Sequence, residues 1–133
     1  MEVETPFEVL WADADPSDRI YYAAALRYVA EAEEALFRKA GFASSETLRQ
    51  GYGFPRAHVE LDYRRPLKIG DRGATRAWIG RVGNSSIRMN FCLAKQEEAE
   101  PYIEGHIDMV MINLKSGYPI TVPEEMRNVL TAT

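Results

Sequence analysis

Between Tyr22 and Ala40 the apolar residues of this 133-residue chain recur with the period of an α-helix, and no later segment repeats that pattern at comparable length. At 100° per residue, Tyr22, Leu26, Val29, Leu36, Phe37 and Ala40 share one stripe. Arg27, Glu31, Glu34 and Arg38 fall on the opposite face, with charge pairing at i,i+4. Gly41 stops the segment as a C′ residue would. Such a helix is about 28 Å long and needs a broad apolar surface to lie on.

The other segments supply that surface. "TPFEVLWAD" (5–13) carries Phe7, Val9 and Trp11 at period two and reads as a first strand. Four further runs, 54–65, 73–82, 85–95 and 101–114, have strand lengths, and "PLKIGD", "GN" and "QEEAE" separate them with turn chemistry. The "GN" pair predicts a hairpin. A short closing helix is predicted after Val122, with Pro123 at its first position. No helices alternate with the later strands, so the sheet should be largely antiparallel with the long helix on one face, an α+β plan. The length predicts one domain over residues 1–133, and there is no internal repeat or linker.

Composition narrows the function classes. Hydrophobic residues at 46% and charged residues at 27% are ordinary for a globular chain. No apolar run approaches the roughly 20 residues of a membrane span. "MEVETPFEVL" lacks a basic region before an apolar stretch, so a cytoplasmic location is expected. A net charge of −4 without a basic cluster argues against nucleic acid as the partner. Cys92, the single cysteine, lies in the alternating run "SIRMNFCLA" and reads as a small buried hydrophobe.

Three carboxylates, Asp13, Asp15 and Asp18, gather just before the long helix. They could cap it, since unpaired N–H groups and the dipole welcome an acid there. Alternatively, one is a catalytic group beside a helix N-terminus that polarises a substrate carbonyl.

The run "WADADPSDRIYYAAALRYVAEAEEALFRKAGF", followed by "ELDYRRPLKIGD" and "HIDMVMINLKSGYPITVPEEMR", resembles the hotdog-fold acyl-CoA thioesterases of the 4-hydroxybenzoyl-CoA thioesterase type. The resemblance runs from about residue 7 to residue 127, with the motifs in matching order. It implies a hotdog fold: an antiparallel, five-stranded curved sheet wrapped around one long helix. It further implies cofactor-free hydrolysis of an aryl- or medium-chain acyl-CoA to acid and coenzyme A, in a homodimer or homotetramer. A non-catalytic acyl-CoA-binding protein and a hotdog hydratase or dehydratase remain open.

By the same resemblance Asp15 is the catalytic carboxylate, acting as nucleophile or general base, and Asp13 supports it. The backbone N–H of Tyr22 would donate to the thioester oxygen. Two departures stand out: Asp18 occupies the family's Gly position, and Ala24 and Ala25 replace larger residues near the expected pocket. Asp13, Ala24, Ala25, His58 and Ser86 are the substrate-binding candidates. No partner stands at metal-ligand spacing along the chain from His58 or His106, so no metal is expected. Glu33, on the helix's apolar side about 16 Å beyond Tyr22, reads as a structural or interfacial ion-pair member. Arg64, Arg65, Lys68, Arg81 and Arg88 form the pool of cations for coenzyme A phosphates.

Overall fold

A computed structural model describes residues 1–132. Strand β1 spans Glu2–Glu8 and is followed by a 3₁₀ turn, Trp11–Asp13. Helix α1 is Ala24–Ala40 and a short helix α2 is Ser44–Arg49. Strands β2 (Tyr52–Gly53), β3 (Arg56–Tyr63), β4 (Arg72–Val82), β5 (Ser86–Lys95), β6 (Ile103–Val110) and β7 (Ile112–Asn113) follow, then helix α3, Glu124–Thr131. Five strands form one antiparallel sheet in the order β1-β4-β5-β6-β3, and β2 pairs with β7 in a separate small ribbon. This is the α+β hotdog plan.

The core lies between α1 and one sheet face. Ile87, Met89, Phe91 and Leu93 of β5 alternate inward, as do Ile103, Ile107 and Met109 of β6. From α1 they meet Ala25, Tyr28, Val29, Ala32, Leu36, Phe37 and Ala40. That stripe is rotated from the one the sequence suggested. Tyr22 precedes the helix and is 67% exposed, Leu26 lies on its rim, and alanines take their place so that the helix approaches the sheet closely. Gly41 closes α1 in the left-handed conformation (φ 90°), as its position implied.

Three boundaries differ from expectation. β1 begins three residues earlier and ends before the 3₁₀ turn, which throws Trp11 outward to 82% exposure although Phe7 and Val9 are buried. Pro123 caps α3 rather than opening it. Helix α2 and strand β2 had no counterpart in the sequence reading, and the run 101–114 divides into β6 and the short β7. The "GN" hairpin forms, with Gly83 N–H donating to Ser86 O at 2.8 Å, and Arg127 of α3 holds it through the Val82 and Gly83 carbonyls.

Two β-bulges shape the sheet, one between Ile79 and Arg81, the other between Arg56 and His58. The second inserts a residue that puts neighbouring positions of like parity on opposite faces. Arg56, opposite inward Met109, pairs with Glu33 of α1, while His58, opposite Asp108, faces outward. The Glu33 ion pair is therefore formed within one chain. Cys92 also lies on the outer face, between inward Phe91 and Leu93, and is half-buried there rather than in the core. Desolvation raises its thiol above the ordinary range.

Candidate active site

The loop joining β1 to α1 is held from below by Asp13. The residue is 3% exposed, and its side-chain oxygens accept from Tyr28 Oη at 2.6 Å, Arg27 Nη2 at 2.7 Å and Leu10 N–H at 3.1 Å. Burial alone would raise this carboxyl, but the hydrogen bonds and the Arg27 charge outweigh it and hold the group below its usual range. The same burial, followed by the bond to Asp13, pushes the Tyr28 phenol well up. Tyr28 also stacks on Phe7 with 5.3 Å between ring centroids. Asp13 is thus a buttress with no free oxygen facing solvent, a supporting group and not a substrate contact.

Asp15 has the opposite surroundings. Residues 14–20 fold into a tight lobe closed by the Ala14–Ile20 bridge and by Asp15 N–H to Arg19 O at 2.8 Å. Within it Asp15 Oδ1 accepts the Ser17 N–H at 2.8 Å and the Ser17 hydroxyl, an Asx-type turn. These bonds, the hydroxyl's first, hold Asp15 below the usual carboxylate range. No hydrogen bond reaches its Oδ2 from the described residues. Asp18 adopts φ 61°, the left-handed conformation a glycine would hold at this position, and Asp tolerates it better than most residues.

The lobe leads directly into α1. Tyr21 N–H is bonded to Asp13 O at 2.7 Å, but Tyr22 N–H meets no acceptor among the described residues. The phenol of Tyr63, at the end of β3, donates to Tyr22 O and fixes this turn. Ala23, at the N-cap, offers no side-chain acceptor, so no carboxylate caps α1. The acids gathered before the helix therefore do something other than cap it. Ala24 is half-buried and Ala25 fully buried against the core, so neither projects over the exposed N-terminal N–H groups.

His58 and Ser86 are corrected: both lie on the outer sheet face, across the sheet from α1, His58 because of the bulge and Ser86 because it alternates with inward Ile87. Of the cation pool, Arg64 pairs with Glu104 and Asp62, Arg65 with Glu98, and Arg88 bidentately with Asp108. A feature missed in the sequence is a cavity of about 270 Å³ at the far end of α1, lined by Phe37, Phe42, Tyr52, Phe54 and Met109, with Glu33 and Arg56 on its wall. Short β2 and α2 build it, and neither has a periodic signature long enough to detect.

A curved antiparallel sheet on one long helix, with an acidic lobe before an uncapped helix N-terminus, is the hotdog architecture. The sequence profile of the thioesterase-like superfamily matches residues 9–130, and the chain belongs to that superfamily. A search of curated protein sequences returns no match. Among solved structures, a 1,4-dihydroxy-2-naphthoyl-CoA thioesterase from Synechocystis is similar at TM-score 0.88 and 18% identity, covering 98% of this chain and 96% of the other. A gentisyl-coenzyme A thioesterase is similar at TM-score 0.86 and 22% identity, covering 97% and 100%. A hypothetical protein from Staphylococcus aureus, solved in complex with CoA, is similar at TM-score 0.87 and 14% identity, covering 97% and 81%.

Proposed function

We propose that the protein hydrolyses an aryl acyl-CoA to the free acid and coenzyme A, with Asp15 as the catalytic carboxylate and Tyr22 N–H as the donor to the thioester oxygen. The observation that carries this reading is two groups without partners among the described residues in the loop that leads into α1: Asp15 Oδ2 and the backbone N–H of Tyr22, two residues before the helix. As the thioester carbonyl is attacked, its oxygen gains negative charge, and the Tyr22 N–H, just ahead of the positive end of the 17-residue helix, stabilises it. Asp15, ionised at neutral pH, either takes a proton from the attacking water as the coenzyme A thiolate departs, or attacks the carbon itself, expelling the thiolate and leaving a mixed anhydride that water then hydrolyses to the free acid and the Asp15 carboxylate.

Two of the similar structures are named for aromatic acyl-CoAs, which supports an aryl acyl group over a medium-chain one, and a third was solved with CoA, which supports a coenzyme A thioester. The protein acts as a homodimer or a pair of homodimers. Strand β3 is a sheet edge, and Val59 and Tyr63 on its helix-facing side remain 41% and 46% exposed, an apolar strip a second copy would cover. A two-fold axis at this edge would set the two copies' sheets edge to edge and their α1 helices antiparallel. The test is a panel of acyl-CoAs followed with a thiol-detecting reagent. Aryl substrates should release free thiol with the highest kcat/KM. Binding without thiol release across the panel would overturn hydrolysis, and a preference for medium-chain substrates would overturn the aryl assignment alone.

A further inference from the structure

The outer face of the sheet brings together His58 and Glu60 of β3 and His106 of β6, which no spacing along the chain had linked. Glu60 stands directly opposite His106 in the register, and His58, two residues from Glu60, lies diagonally across from the same histidine. His58 Nε2 is 3.8 Å from Glu60 Oε1 and His106 Nδ1 is 3.7 Å from Glu60 Oε2, both longer than a hydrogen bond. The two imidazole rings stack with 5.4 Å between centroids. One donor atom from each of the three residues lies within 4.8 Å of the others. The centre of such a triangle is roughly 2 to 3 Å from each corner, against about 2.0–2.2 Å for zinc–imidazole and zinc–carboxylate bonds. Side-chain rotations that move each donor by up to about 1 Å close the difference, and the strands that carry the donors are fixed by their ladder.

The geometry points to a divalent transition-metal site formed by His58, Glu60 and His106. Two imidazoles and one carboxylate suit zinc, nickel, cobalt or copper rather than magnesium or calcium. Asp108, opposite His58, is not a fourth ligand, because Arg88 takes both its oxygens at 2.7 and 2.8 Å. That leaves three protein ligands, with water completing the coordination. The bound ion staples edge strand β3 to β6 and is independent of the hydrolytic reading above.

The experiment titrates tag-free, chelator-treated full chain with Zn²⁺ by calorimetry. One ion per chain is expected, with a raised Tm, because a ligand held only by the folded state stabilises it. Glu60→Gln or His106→Ala should weaken binding at least tenfold, and the His58→Ala/His106→Ala pair should abolish it. The chain has two histidines, so long-range ¹H–¹⁵N spectra report both rings without any substitution. Zn²⁺ should shift His58 Nε2 and His106 Nδ1. Unchanged imidazole resonances at saturating Zn²⁺, or full stoichiometry retained by the double variant, would overturn the site.

Discussion

Asp13 and Asp15 are two residues apart, yet one carboxylate is saturated by three donors and buried while the other keeps an oxygen open beside a helix N-terminus. Asp15→Asn keeps shape and hydrogen-bonding capacity but removes the nucleophile or base. We expect kcat to fall by about 10²-fold or more with Tm close to wild type, as steady-state kinetics and thermal melts would show. Asp18→Asn is the control: it still tolerates φ 61° and should keep most activity. For Asp13 the signature is in stability. Its folded carboxyl is depressed, so the unfolded chain takes up the proton first as pH falls. Its contribution is therefore full above the unfolded value near 3.8 and is lost as pH drops through the lower folded value. Asp13→Asn should be less stable at pH 7 by about 2 kcal/mol and show a flatter loss of stability below about pH 4 in urea titrations. The positions of these acids were legible in the sequence, but their partners were not, because Tyr28, Arg27 and Ser17 are chosen by how the turn folds.

The long helix and the four later strands were readable because each carries a sustained period of 3.6 or 2. The misreadings sit where that period is interrupted without a glycine or proline to mark it. The 3₁₀ turn at Trp11–Asp13 ended β1 early, and the bulge beyond Arg56 sent His58 to the outer face. Gly105 shows how closely β3 and β6 then approach. A Cβ built there would lie 1.8 Å from the Glu60 carbonyl oxygen, a backbone atom unable to move aside without breaking the ladder. Gly105→Ala should cost about 3 kcal/mol, measured by denaturant unfolding, whereas alanine substitution at exposed Arg64 should cost under about 1 kcal/mol.

At the scale of the molecule, the exposed strip of Val59 and Tyr63 lies beside Tyr22, whose carbonyl Tyr63 holds. Val59→Lys should shift the protein toward monomer in sedimentation or light scattering and, on the proposed assembly, lower kcat/KM at least tenfold. A wild-type monomer at micromolar concentration would contradict that assembly. The strand order has a consequence in time as well as in space. β4, β5 and β6 are consecutive in sequence and neighbours in the sheet, so short loops suffice to assemble them. The outer strands must be recruited from far along the chain, Glu2 opposite Trp78 and Val59 opposite Ile107. Closing the larger loops costs more entropy before any contact repays it. Pulse-labelled hydrogen exchange during refolding should therefore protect the amides of β4–β6 first and those of β1 and β3 last. The edge proposed to recruit a second copy would then be a late-forming part of the first, which ties assembly to the final step of folding.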